Sequence, residues 1–147
     1  MSENNLSTDI TAFLASNAIK TQDKEYIASK RFVGKDGKPI PWRLRVVTND
    51  ELDAITRRCQ KKEFMPKMRE YKVVVDKQRL EIEMICAAVV FPNLNDERLQ
   101  DSYGTIGAEA TVRAMLTPGE YSDLANAVTE VAGFQAGMSE QVRTAKN

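Results

Sequence analysis

The chain has 147 residues, of which 42% are apolar and 29% are charged, the length and balance of one ordinary globular domain. It contains no histidine, which excludes histidine-based catalytic triads, zinc deaminase sites and HExxH metal sites. Its 21 basic and 21 acidic residues cancel, so no overall charge attracts nucleic acid or an anionic membrane, and electrostatic recognition has to be local.

Two cysteines and the lack of a long apolar run indicate a cytoplasmic protein. Cys59 and Cys86 each lie in an apolar periodic stretch, which predicts reduced, buried thiols, with a redox pair as the alternative. The N-terminus lacks a basic region followed by an apolar one, and the longest apolar run, residues 86–91, is too short to span a bilayer. We therefore expect no membrane association.

The N-terminal part predicts a short helix and a β-hairpin. Apolar residues recur with helical spacing over about residues 8–18, behind a Ser/Thr cap. Between residues 25 and 47 the apolar period changes to two, and GKDGK at 34–38 supplies glycines for a tight turn. Pro39 and Pro41 lack amide donors, so the second strand should begin at a sheet edge or join the ladder late.

Two longer helices are predicted in the middle of the chain. The first follows a capping box, TNDE at residues 48–51, and extends to about Lys62. Residues 71–75 are a candidate third strand. Asp76 then caps a helix whose apolar residues cover more than one face, and Pro92 stops it just past its last apolar residue.

Three shorter helices are predicted after Pro92. The first spans residues 95–103 with Gly104 as its left-handed cap, and the second spans residues 107–116. The third begins at TPGE, which supplies a cap, a proline at the first helical position and a glutamate at the third, and it ends at Gly133.

Together these elements predict an α+β fold. A small N-terminal antiparallel β-hairpin, three-stranded if residues 71–75 join it, should pack with a C-terminal cluster of four to five helices. Residues 1–134 are expected to form this single domain. Residues 135–147 lack a repeating apolar face and are expected to be a flexible polar tail.

No pattern in the sequence makes a case for an enzyme. Acid pairs at residues 50–51, 81–83 and 96–97 lie in the first turns or on the flank of predicted helices, where the helix dipole and solvation explain them. The chain has neither a glycine-rich phosphate loop nor a GxSxG serine. We therefore expect no catalytic residues, no metal site and no cofactor.

Charge is unevenly distributed along the chain. Residues 57–72 hold seven basic and two acidic residues, a net charge of +5, and residues 93–130 hold the reverse, a net charge of −5. Three interpretations are open: an RNA site, a solvated helix face, and complementary surfaces that steer protein partners or copies of this chain. An RNA-binding or regulatory module is disfavoured because no aromatic pair interleaves the basic residues to stack bases.

The basic segment supplies the first candidate partner-binding residues. Two methionines flank Pro66, and flexible thioethers suit a surface that accepts imperfectly matched partners, with gap-filling in the core as an equal alternative. The candidates from this segment are Arg57, Arg58, Lys61, Lys62, Met65 and Met68.

Five blocks spread over about residues 11–134 carry a family resemblance: FLASNA at 13–18, SKRF at 29–32, GKPIPW at 37–42, FPNLNDERLQDSYG at 91–104 and MLTPGEY at 115–121. In this order they resemble the XkdN-like tail assembly chaperones of tailed phages and Bacillus prophages. Residues 63–76 carry the least of the resemblance.

The resemblance implies a non-enzymatic protein that coats the long, helical, aggregation-prone tape measure protein. It would keep that protein soluble in the bacterial host cytoplasm, help recruit tail tube subunits and be absent from the finished tail. Such a coat should offer a shallow apolar groove and bind each of many sites weakly. Complementary charged ends would let copies stack head to tail as a homo-oligomer.

Family members are often made in two lengths by ribosomal slippage. Residues 145–147, Ala-Lys-Asn, are compatible with a slippery codon sequence, although other codons encode the same residues. A longer form made in this way would contact the major tail (tube) protein.

Apolar members of the resembling blocks are further candidate contact residues. Trp42 is a candidate only if its ring is accessible. For each of these residues, packing within the domain is the alternative to contact with a partner. The candidates are Trp42, Leu94, Leu99, Tyr103 and Tyr121.

Overall fold

The structure, a computed structural model, describes residues 9–134 and confirms the α+β fold class. The elements in this range are β1 (Lys24–Tyr26), β2 (Trp42–Leu44), α1 (Asn49–Arg58), β3 (Gln60–Met65), β4 (Glu70–Val75), α2 (Lys77–Ala88), β5 (Val89–Phe91), α3 (Glu97–Tyr103), α4 (Ala108–Met115) and α5 (Pro118–Val131). The prediction that residues 135–147 form a flexible tail concerns residues outside this described range.

The predicted N-terminal hairpin is present, with strands much shorter than the alternating pattern suggested. β1 and β2 are antiparallel, and Tyr26 lies opposite Trp42. Between them the chain pairs only at an isolated bridge from Val33 to Pro39, where the Ile40 amide donates to the Phe32 carbonyl at 2.8 Å. Proline lacks an amide donor, so the ladder is interrupted where the sequence places its prolines.

The prediction that one helix runs to Phe91 is wrong. α2 ends at Ala88, and Val89–Phe91 forms β5, which pairs antiparallel with β2 and completes the sheet in the order β1-β2-β5. The two valines are β-branched, which favours the extended conformation once the free edge of β2 is available for pairing. Pro92 therefore follows a strand and not a helix.

The prediction that the preceding helix reaches Lys62 is also wrong. α1 ends at Arg58, and β3 pairs in full register with β4 as a separate two-stranded sheet, which we call the β3–β4 arm. Residues 71–75 are a strand as predicted, but they pair with β3 and do not join the N-terminal hairpin. At the base of the arm, the Asp76 amide donates to the Cys59 carbonyl at 2.7 Å.

The first predicted helix, over residues 8–18, is not formed. Its place holds a single 3-10 turn, Ile10–Phe13, which contains no buried residue and leaves Phe13 75% exposed. A short helix in water depends on packing of its apolar face against a core. Since no such packing is available here, the apolar period alone does not produce a helix.

Three helices, α1, α2 and α5, begin where the capping residues predicted. Thr48 and Thr117 open α1 and α5 with complete capping boxes, and the Asp76 carboxylate accepts from the Arg79 amide at 3.2 Å to open α2. Gly104 ends α3 in the left-handed conformation, with φ 64°. These helices and the three-stranded sheet enclose the core. The largest fully buried aliphatic side chains of the core are Leu44, Ile85, Val112 and Leu124.

Candidate functional site

A concave groove lies between three helices of the described residues. α2 packs against both α1 and α5, and the space between the three has a volume of about 570 Å³. The apolar lining of this α1–α2–α5 groove consists of Leu52, Leu80, Met84, Ile85, Ala125, Val128 and Phe134. Leu80 and Met84 are half-buried and lie one helical turn apart on α2, so they present apolar surface along the groove.

Two threonines in the groove contribute less hydrogen-bonding capacity than their residue type suggests. The Thr56 hydroxyl donates to the Leu52 carbonyl at 2.8 Å, and the Thr129 hydroxyl donates to the Ala125 carbonyl at 3.0 Å. Both hydroxyl groups are therefore satisfied within their own helices. The exposed polar residues of the groove are Asp53, Lys77, Glu81 and Asn126, so an apolar lining is edged by hydrophilic side chains.

The start of α1 is fixed by a charged hydrogen-bond network. Arg45 Nη1 donates to Glu51 Oε1 at 2.9 Å, and the Thr48 amide donates to the same oxygen at 3.0 Å. The hydrogen bond from Arg45, followed by that from the Thr48 backbone, lowers the pKa of Glu51 to about 2. The carboxylate therefore stays charged at neutral pH and holds α1 beside the strand that precedes it.

The other end of α1 is joined to α2 through Glu83. Arg58 donates to Glu83 Oε1 through Nε at 3.0 Å and Nη2 at 2.8 Å, while Arg79 Nε donates to Oε2 at 3.1 Å. Burial raises the pKa of Glu83, but the hydrogen bonds from Arg58 and Cys59 outweigh it and keep that pKa below its usual value. These contacts hold α1 and α2 together at one end of the groove.

Both cysteines are free thiols. Cys59 is fully buried, and its Sγ donates to Glu83 Oε2 at 3.2 Å; Cys86 is half-buried. Burial raises the pKa of Cys59 to about 11 and that of Cys86 to about 12. At neutral pH both are protonated, which suits side chains that pack in the domain and not nucleophiles.

The β3–β4 arm is the second candidate surface because its apolar side chains are exposed. Phe64 and Tyr71 lie opposite each other across the two strands, with ring centroids 5.3 Å apart, and they are 49% and 69% exposed. Val73 beside them is 57% exposed, and Met68 in the turn is 64% exposed. The arm therefore offers an apolar surface outside the core.

The predicted basic contact residues are split between the core domain and the arm. Arg57 is exposed at the end of α1, whereas the guanidinium of Arg58 is held by Glu83. Lys61 and Lys62 are exposed on β3, but successive strand residues point to opposite faces, so these two lysines do not act on one surface. Met65 is half-buried at the end of β3, while Met68 is exposed in the turn.

The structure does not make Trp42 and Leu94 accessible for contact with a partner. Trp42 is 2% exposed in the central strand of the three-stranded sheet, with its ring 6.5 Å from that of Phe32, and Leu94 is 3% exposed. The condition attached to Trp42, an accessible ring, is not met. Both side chains belong to the core cluster, where large apolar side chains lose the most water-exposed area.

The three other candidate contact residues are partly accessible. Leu99 is half-buried and lines a shallow hollow with Phe91 and Pro92, and Tyr103 is 37% exposed at the end of α3. Tyr121 is half-buried against the core, with the Arg113 guanidinium 5.6 Å from its ring centroid. None of the three lines the α1–α2–α5 groove.

Sequence reasoning missed the groove residues of α2. The signal was present, because the apolar residues of this helix cover more than one face. The core buries Ile82, Ile85 and Ala88. Leu80 and Met84 are surplus apolar residues of this helix, which the core does not fully bury. An apolar surplus on a helix of a small domain indicates a surface that another chain can cover.

Neither a membrane span nor a metal cluster is found within residues 9–134. No helix in this range is both long and apolar enough to cross a bilayer. The same range contains no group of three or more cysteine, aspartate or glutamate side chains placed to hold a metal ion.

The sequence profile described as "Phage XkdN-like tail assembly chaperone protein, TAC" matches residues 10–146, nearly the whole chain. The chain belongs to this family. The family consists of assembly chaperones, so the comparison gives no support for catalysis. Membership confirms the resemblance carried by the five sequence blocks and implies phage tail proteins as partners.

Two relatives and one solved structure are similar to this chain over most of its length. The phage-like element PBSX protein XkdN of Bacillus subtilis (strain 168) is 27% identical over 149 residues, 100% of each chain. The uncharacterized protein YqbN of the same strain is 26% identical over 140 residues, 95% of this chain and 93% of that protein. The crystal structure of the protein YqbN has a TM-score of 0.71 at 24% identity, covering 88% of this chain and 99% of that chain, and supports the fold.

Proposed function

We propose that this tail assembly chaperone binds helical segments of the tape measure protein in the α1–α2–α5 groove. The observation that carries the proposal is the apolar groove itself, of about 570 Å³ and edged by exposed polar side chains. An amphipathic helix buries its apolar face in a groove of this kind while its polar face stays in water. Covering that face would keep the tape measure protein soluble during tail assembly.

The shape of the groove suits a client with many similar segments. Leu80 and Met84 are flexible side chains on a half-buried helix face, and a methionine adapts to differently shaped neighbours. Each contact is expected to be weak, and many copies along one long helix supply the total affinity. Weak individual sites also allow the chaperone to leave, so that it is absent from the finished tail.

Copies of the chaperone and the tube protein are the other proposed partners. The basic segment 57–72 forms the end of α1 and most of the β3–β4 arm, while the acidic segment 93–130 contains α3, α4 and most of α5. Segments of opposite charge on separate elements support head-to-tail stacking of copies in the host cytoplasm. A longer form produced by translational frameshifting would add the contact with the major tail (tube) protein.

Co-expression tests the proposed function. The cognate tape measure protein should be found mainly in the pellet when produced alone and mainly in the supernatant when the two are produced together. An unrelated small protein of near-zero net charge, expressed at the same level, serves as the control. An unchanged distribution of the tape measure protein between pellet and supernatant would contradict the proposal.

A further inference from the structure

The β3–β4 arm contains the feature whose absence disfavoured nucleic acid at the level of sequence. Phe64 and Tyr71 are separated by six residues in sequence, but the register of the hairpin places them side by side, with ring centroids 5.3 Å apart and ring planes at 57°. Both rings are about half exposed or more. The expectation that no aromatic pair interleaves the basic residues is therefore wrong.

The two faces of the arm differ in charge. Cross-strand neighbours share a face, so one face carries Lys62 with Val73 beside the pair Phe64 and Tyr71. Both acids of the arm, Glu63 and Glu70, fall on the opposite face. The aromatic face is therefore free of carboxylates.

The turn extends this positive charge to the tip of the arm. Lys67 and Arg69 are exposed between the two strands, and neither has an ion-pair partner within residues 9–134. Exposed rings therefore lie between a lysine on β3 and two cations in the turn. Both components of a sequence-tolerant site for single strands are present: cations for the backbone and aromatic faces for the bases.

We propose that the aromatic face of the β3–β4 arm binds single-stranded nucleic acid. Two six-residue strands form a ribbon about 20 Å long and about 10 Å wide. A single strand fits this footprint because it can follow the cations while its bases stack on Phe64 and Tyr71.

Binding of a fluorescein-labelled oligothymidine, followed by anisotropy at low salt, tests the proposal on the full chain. Tyr71→Ala should weaken binding roughly five-fold to hundred-fold, the range for loss of one stacked base, whereas Tyr71→Phe keeps the ring and should bind like the wild type. Phe13→Ala removes an exposed ring outside the arm and should have no effect. Added salt should reduce affinity with a logarithmic slope of about −0.7 for each phosphate contacted.

A second pair of variants separates the two faces without touching the aromatic rings. Lys62→Gln on the aromatic face should lower both the affinity and the salt slope, whereas Lys61→Gln on the opposite face should change them less. Absence of binding at low salt would overturn the proposal. An equal loss of oligothymidine affinity in Tyr71→Ala and Phe13→Ala would also overturn it. Arm variants that impair tape measure solubility but leave oligothymidine binding unchanged would overturn it as well.

This inference goes beyond the proposed chaperone function and can fail separately from it. The α1–α2–α5 groove contains no residue of the β3–β4 arm. A Leu80→Glu variant should therefore bind oligothymidine like the wild type. Loss of oligothymidine binding in this groove variant, with the fold intact, would contradict the assignment of the site to the arm.

Discussion

Replacing Leu80 or Met84 by glutamate is expected to remove most of the tape measure solubilisation that we propose for this chaperone. Both side chains line the groove on α2, and a carboxylate there would have to lose water against the apolar face of a bound helix. Central interface residues cost about 2 kcal/mol or more when lost, so each variant should bind at least about 30-fold more weakly. The supernatant fraction of co-expressed tape measure protein measures the effect.

The fold of these variants should be retained because both positions are only half-buried in the absence of a client. Gln78→Glu is the matched control, since it introduces the same charge at an exposed position of α2 that does not line the groove. Circular dichroism should show the same helix content in all three variants. A Leu80→Glu protein that is folded and solubilises the tape measure protein as well as the wild type would contradict the assignment of the groove.

Replacing Trp42 by alanine is expected to destabilise the domain severely. Its ring is 2% exposed in the central strand of the sheet and contacts the core, so truncation leaves a large cavity. Such substitutions cost about 3–5 kcal/mol, a large part of the about 5–15 kcal/mol that stabilises a typical domain. The urea midpoint of unfolding should therefore fall markedly.

Two control variants distinguish packing from partner contact at this position. Trp42→Phe keeps most of the apolar volume and should lose less stability, and Tyr71→Ala removes an exposed ring and should change the urea midpoint little. If Trp42→Ala instead unfolded at the wild-type urea concentration but failed to solubilise the tape measure protein, Trp42 would be a contact residue after all.

Local signals in the sequence predicted the helix starts well. Thr48, Asp76 and Thr117 open their helices as expected because capping depends on hydrogen bonds between residues three apart. The left-handed Gly104 likewise depends only on its own backbone freedom. Features set by a few adjacent residues can be read without knowing the rest of the fold.

Strand partners could not be predicted in the same way. Whether Val89–Phe91 continues α2 or forms β5 depends on the edge of β2, which lies more than forty residues earlier in the chain. A short apolar run has the same pattern in a buried helix and in a strand. The change from helix to strand after Arg58 similarly depends on pairing with β4.

The candidate site was likewise predictable from the sequence only in part. Net charge identified the segment 57–72 as unusual, but only the hairpin register shows that Phe64 and Tyr71 are adjacent and that both acids lie on the other face. The groove could not be predicted because it forms only when three helices that are far apart in the sequence pack together. Trp42 and Leu94 were chosen for their residue types, and their burial could be known only from the fold.

Site-specific photo-crosslinking from the groove tests the central claim most directly. Asn126 is exposed at the groove on α5, and Gln78 is exposed on α2 outside it, so a photoreactive amino acid at each position compares the two surfaces. In cells that produce the tape measure protein, the probe at position 126 should crosslink to it and the probe at position 78 should not. Crosslinks to the tape measure protein from position 78 but not from position 126 would contradict binding of the client in the α1–α2–α5 groove.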